Sequence, residues 1–205
     1  MDMKKKSTSM IQFPMIDIRS TIALGQAMAS RRSRRSFNRN EPVPLSSLGF
    51  LLWAAGGVTD PEGLRSVPSA GATYPLEIFA AIGNVTDVPS GLYHYDPEQN
   101  GIALLSAGDL RPQLARAAMG QSMIADAALT IILAANHQGT AARYGDRSAR
   151  YIHNEVGHSG QNIYLAAESL GLGTCAVGAF HDSEVKKILG GSEEPLYLLP
   201  VGYPK

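Results

Sequence analysis

The sequence predicts an α+β fold around a mixed sheet, and three observations carry that expectation. Short apolar runs of strand length ("LEIFAAIG", "GLYHY", "IALLS", "LTIILAA", "PLYLLPVGYP") are separated by helical segments in irregular alternation rather than in a regular strand–helix repeat. An Asn100-Gly101 pair stands between two of these runs and signals a hairpin turn. The stretch "DRSARYIHNEVGHSGQNIYLAAESLGLG" repeats apolar residues at Ile152, Val156, Ile163, Ala167 and Leu170 and stops at Gly171 and Gly173, as a long amphipathic helix does.

The 205-residue chain is 44% hydrophobic and 18% charged, the composition of a packed globular protein with one sizeable core. No repeat, low-complexity tract or linker divides it, so an N-terminal arm over residues 1–16 and a single domain over residues 17–205 are expected. Lys and Arg total 18, as do Asp and Glu, which argues against a duplex-binding protein with a basic face. Any bound anion must therefore be held locally. The single cysteine, Cys175, excludes an intramolecular disulfide and a cysteine-rich zinc site, and it fits a reducing, cytoplasmic setting. The opening "MDMKKKSTSMIQFPM" has the lysines of a secretory leader without its continuous apolar segment, and reads as a loose arm. No apolar run is long enough to span a membrane.

Taken in order, "STIALGQAMASRRS" reads as a helix capped by Ser20, with Ile22, Ala23, Ala27 and Ala29 on an irregular apolar face, running into a cluster of arginines. "VPLSSLGFLLWAAGG" reads as a buried helix, apolar at Leu45, Leu48, Leu51, Leu52 and Ala55, with Trp53 in the core and Gly56 and Gly57 as a C-terminal glycine signal. Pro, Gly and Ser dominate residues 59–73, a loop before the first paired strands. "DLRPQLARAAMG" and "SMIADAA" read as helices, and "LTIILAA" as a central strand. Within the long helix, Gly157 and Gly160 each cost about 1 kcal/mol against alanine. Close packing against another backbone, in the chain or across a dimer interface, is expected at both. "TCAVGAF", "HDSEVKKILGG" and "PLYLLPVGYP" end the chain as strand, helix and strand.

Several chemistries lose support from spacing alone. There is no G-x-x-x-x-G-K-[ST] phosphate loop, and the glycines of "GLGTCAVG" lack dinucleotide-binding spacing. His153 and His158 are five residues apart, which separates two imidazoles on a helix, so no metal site is expected. Cys175 has no identifiable base and reads as a small buried apolar residue. "RRSRRSF", residues 31–37, holds four arginines in seven positions. It is either a solvated charge run or a local anion site, for which the planar fork of arginine suits phosphate.

That segment, with "RSVPSAGATYPLEIFAAI", "RYGDRSARYIHNEVGHSGQNIYLAAESLGLGTCAVGAF" and "LYLLPVGYP" in the same order, resembles the nitroreductase family, specifically its SagB-type dehydrogenase branch. The resemblance runs over nearly the whole chain after the arm. It implies a mainly antiparallel central sheet flanked by helices, and an FMN enzyme, usually a homodimer, with its flavin sites at the subunit interface. It places Arg31, Arg32 and Ser33 at the FMN phosphate and ribityl chain and Arg35 near the flavin N1 and O2 edge. There a cation would stabilise the negative charge of reduced flavin. Pro68, Ser69, Ala70 and Gly71 match the loop that packs against the flavin. Val177, Gly178 and Ala179 match the strand end whose backbone N–H groups face N5. The implied activity is ping-pong hydride transfer between NAD(P)H, or another donor, and a small-molecule acceptor.

The sequence also departs from the pattern. Ala72 stands where nitroreductases often have Asn, and Tyr74-Pro75-Leu76 where Gln-Pro-Trp is common, which suits the SagB-type branch. Azoline-oxidising members often carry Lys-Tyr where this chain has Arg143-Tyr144, and arginine is a poor general base. Tyr144 either donates a proton or orients substrate, or makes a structural hydrogen bond. No basic tail follows "PVGYPK", so Lys205, Arg147 or Arg150 would have to complete the phosphate site. Two competing functions remain: a SagB-type azoline dehydrogenase acting on a ribosomal peptide, and a flavin-binding module without turnover.

Overall fold

The computed structural model describes residues 10–17 and 22–205. Its strands are β1 (Met10–Gln12), β2 (Leu76–Ile82), β3 (Gly91–Asp96), β4 (Gly101–Ala107), β5 (Leu129–Ala135), β6 (Gly173–Thr174) and β7 (Glu194–Gly202). The helices are α1 (Leu24–Ser30), α2 (Leu45–Gly56), α3 (Arg111–Ala117), α4 (Met123–Asp126), α5 (Gln138–Tyr144), α6 (Ser148–Ser169) and α7 (Asp182–Leu189). One seven-stranded sheet runs in the order β1-β4-β3-β2-β5-β7-β6.

Every pairing in that sheet is antiparallel, so the expectation of a mixed sheet is corrected. The reason lies in the connections: β2, β3 and β4 are joined by loops too short for a parallel crossover and form a meander. Asn100, at the β3–β4 turn, has φ +45°, the left-handed conformation that its hairpin signal implies. The residues expected to form a loose arm do not stay apart. Met10, Ile11 and Gln12 pair with Ala103, Ile102 and Gly101, and Phe13 enters the core behind them.

Both faces of the sheet are covered. Leu129, Ile131 and Leu133 of β5 pack with α2 and α6, while Ile132 and Ala134 face the side of α3, α4 and α7. All seven residues of β5 are therefore buried, which explains an unbroken apolar run where a one-sided strand would alternate. The first predicted helix is shorter than expected, beginning at Leu24 and ending before the arginines; its expected cap, Ser20, lies outside the described residues. Gly57 ends α2 with φ −70°, outside the left-handed region. Glycine is needed there because a Cβ would run into the Trp53 ring. "TCAVGAF" is a strand only at its start, since β6 stops at Thr174. The helix α5 was not anticipated, because "QGTAARY" carries almost no apolar periodicity.

Candidate functional site

The residues after α1 run extended beside β6, with Ser33 bridged to Thr174 and the Arg34 N–H donating to the Thr174 carbonyl at 2.9 Å. This placement sorts the four arginines. Arg34 pairs with Glu168 at 3.4 Å and lays its stem across Gly173, where a Cβ would approach it to 2.9 Å. Arg32 donates to the carbonyls of Ala29 and Arg31, which completes the open end of α1. Arg31 stands 5.2 Å from the centre of the Tyr164 ring, and the Arg35 guanidinium reaches the Ser33 carbonyl at 3.4 Å. Among the described residues, no carboxylate lies within ion-pair distance of Arg31, Arg32 or Arg35.

Tyr164, on α6, joins this rim to the turn after β6. Its hydroxyl lies 2.9 Å from Ser33 Oγ and accepts the Ala176 N–H at 2.8 Å. In that turn Val177 exchanges backbone hydrogen bonds with Leu198, at 2.8 and 3.0 Å. This corrects one expectation, because the Val177 N–H is already engaged inside the sheet. Gly178 and Ala179, both exposed, keep N–H groups that no acceptor among the described residues takes. The Tyr197 ring lies between Gly178 and Gly160, and with Leu196, His153, Val156 and Gly157 it lines a cleft of about 240 Å³. A Cβ on Gly160 would meet only the Tyr197 ring, at an ordinary contact distance of 3.4 Å, and one on Gly157 nothing within 4 Å, so the close backbone packing expected at both is not found among the described residues. Cys175 is buried next to this turn.

The loop of Pro68, Ser69, Ala70 and Gly71 is built elsewhere. Ser69 Oγ accepts the Tyr74 N–H at 3.0 Å and donates to the Glu155 carboxylate, while Thr73 bonds Thr140 of α5 at 2.9 Å. Arg143 donates to the Gly71 carbonyl at 2.9 Å. Gly71 has φ +60°, and a Cβ there would collide with the Tyr144 hydroxyl and the Arg143 guanidinium, so only glycine fits. Tyr144 packs edge-on against Tyr151 at 4.9 Å. Pro68, Ser69 and Ala70 then share a cavity of about 280 Å³ with Tyr151, Asn154, Glu155 and His158. Glu155 is 5% exposed, and burial pushes its carboxyl up to about 7, against the hydrogen bond from Ser69 and the charge of Arg65.

The predicted residues therefore fall into two groups. Ser33, within the arginine segment, is joined through Tyr164 to Ala176, two residues before Gly178, whereas Gly71 of the other loop meets Tyr144 and Ser69 meets Glu155. Glu155 and Tyr164 are nine positions apart on α6, about 13 Å along the helix, so the two groups stand at separate places on it. Of the other cations considered, Lys205 donates its N–H to the Ser36 carbonyl and sits beside the rim, whereas Arg147 and Arg150 lie at the far end of α6. Sequence reasoning missed Tyr164 and Glu155. A tyrosine and a glutamate on a long amphipathic helix carry no signal until the facing loops are in place.

The rim fits a phosphorylated flavin by the chemistry of its donors: two unpaired guanidinium groups, a hydroxyl and two open backbone N–H groups. The model of the nitroreductase family matches residues 28–203. The chain is 47% identical over 195 residues to a Methanocaldococcus jannaschii protein assigned by name to the nitroreductases, covering 95% of this chain and 96% of that one. A solved structure from Ralstonia eutropha, also assigned to the nitroreductases, superposes with a TM-score of 0.84 at 28% identity, covering 97% of this chain and 91% of that one. Trifolitoxin-processing protein TfxB of Rhizobium leguminosarum is 25% identical over 86% of this chain, which spans 52% of TfxB. Fold, family model and relatives agree along almost the whole chain, and this protein belongs to the nitroreductase family of oxidoreductases.

Proposed function

We propose that this chain is an FMN-dependent oxidoreductase moving a hydride between a reduced nicotinamide, or another donor, and a small-molecule acceptor, and that it works as a homodimer. The observation that supports this best is the rim itself, where Arg31 and Arg35 have no carboxylate partner among the described residues and Tyr164 ties Ser33 to Ala176, two residues before Gly178. Bound FMN supplies a ring that accepts and releases a hydride. The chain's own groups then divide the remaining work. Arg31, Arg32 and Ser33 hold the phosphate and ribityl chain, with Lys205 close by. Arg35 offsets negative charge at the N1 and O2 edge, and the N–H groups of Gly178 and Ala179 serve N5 without titrating.

In this reading the loop of Pro68, Ser69, Ala70 and Gly71 serves the other copy's flavin. Its distance from the rim along α6 supports this arrangement, in which the two groups complete one cleft when contributed by different chains. Tyr144, beside Gly71, then orients substrate or donates a proton to it. The similarity to TfxB favours a second reading, oxidation of azoline rings in a ribosomal peptide. Arg143 weighs against it, because its guanidinium is engaged by the Gly71 carbonyl and arginine is a poor general base.

The test is to purify the protein without added flavin, denature it and identify the released chromophore by chromatography. FMN at about one per chain is expected for one site per subunit, followed by anaerobic bleaching with NADH or NADPH. A colourless protein that takes up no added FMN overturns the reading. FMN that neither nicotinamide bleaches, but a thiazoline peptide does, transfers it to the second.

A further inference from the structure

The hydroxyl of Tyr164 is placed between two groups that make opposite demands on it. Ala176 donates its N–H to the phenolic oxygen at 2.8 Å, so that interaction uses a lone pair and leaves the phenolic proton to find an acceptor. Ser33 Oγ, at 2.9 Å, is the acceptor within reach among the described residues. If Ser33 donated instead, the phenolic proton would have no protein acceptor among the described residues and would be left to solvent. The phenol therefore donates and Ser33 accepts. The serine's own proton is left to point away from Tyr164, and Ser33 is exposed on that side.

Two further features strengthen this direction. Arg31 stands over the Tyr164 ring at 5.2 Å, and a cation beside a phenol makes its O–H a better donor. Bonds in a chain also polarise one another, so Ala176 N–H, Tyr164 O–H and Ser33 O–H form a relay ending on an outward-facing donor. Its other end is the turn of Gly178 and Ala179, held two residues from the Ala176 amide.

We propose that Tyr164 is a positioning residue: it makes Ser33 an obligate donor to the anionic end of the bound cofactor and ties that contact to the 176–179 turn. This rests on the FMN reading given above. Tyr164 does not touch the reacting atoms, and its role is to fix a proton and a distance.

The test is fluorescence titration of the apoprotein with FMN and with riboflavin, which lacks the phosphate. Tyr164→Phe keeps the ring under Arg31 and removes the relay. We expect FMN affinity to fall about tenfold, the size of one charge-assisted hydrogen bond, with riboflavin affinity changed less than twofold. Ser33→Ala should give the same pattern, and the Ser33→Ala/Tyr164→Phe double variant should lose no more than the worse single variant. Unchanged FMN affinity, equal loss for both flavins, or additive losses in the double variant would overturn the proposal. The additivity test stands where riboflavin binds too weakly to titrate, and Ser33→Ala stands where Tyr164→Phe does not fold. Wild type that binds neither flavin removes the FMN reading itself, whereas wild type that binds FMN unaffected by these substitutions removes only the relay.

Discussion

Arg35 and Glu155 are the residues whose environments make the sharpest predictions. Arg35 is exposed, and among the described residues it has no carboxylate partner and makes a 3.4 Å contact with the Ser33 carbonyl. Arg35→Ala should retain flavin and the wild-type melting temperature but slow flavin reduction by about one to two orders of magnitude, as lost charge stabilisation does. Unchanged reduction in stopped-flow traces removes Arg35 from the mechanism. Glu155 is held protonated by burial, its carboxyl moved from 4.5 to about 7. The folded state therefore binds a proton that the unfolded chain has released between these values, so stability falls as pH rises from about 4.5 to about 7 and then levels off. The total is about 3 kcal/mol above pH 7. Glu155→Gln keeps an acceptor for Ser69 without the charge. In urea unfolding it should match wild type near pH 4.5 and exceed it by up to about 3 kcal/mol at pH 8; equal curves at both pH values refute the assignment.

At the scale of elements, α6 organises the molecule: one helix carries Glu155 under the Pro68–Gly71 loop, Ser159 bonded to the Ala55 carbonyl, Tyr164 at the rim and Glu168 against Arg34. Its apolar period was legible because Ile152, Val156, Ile163 and Ala167 all enter the core. Its glycines were not legible. A Cβ on Gly160 would find only ordinary contact with the Tyr197 ring, and Gly157 is exposed with open space around it. Glycine in a helix costs about 1 kcal/mol against alanine, so the homodimer proposed above gives Gly157 its purpose. Gly157→Ala should shift sedimentation toward monomer. A variant that stays dimeric and gains about 1 kcal/mol instead means that this face of α6 is bare.

For the whole molecule, the proposed sharing of each flavin cleft between two copies makes flavin retention depend on assembly. Diluting the protein below its dimer dissociation constant should release FMN in step with the appearance of monomer, followed by flavin fluorescence and sedimentation together. FMN held by isolated monomers would contradict the shared cleft. The sequence by itself determined the α+β class, the buried run of β5, the Asn100-Gly101 hairpin and α6, because each rests on local periodicity or turn chemistry. It also placed the cations next to "RRSRRSF". Which arginine is paired was decided by tertiary structure alone, since Glu168, 134 residues from Arg34, takes that guanidinium, while no carboxylate among the described residues reaches Arg31 or Arg35. The wholly antiparallel sheet, the recruitment of Met10–Gln12 and the meeting of Ser33 with Tyr164 were likewise decided there. Each is a contact between residues far apart in the chain, and such contacts leave no periodic trace in the segments that make them.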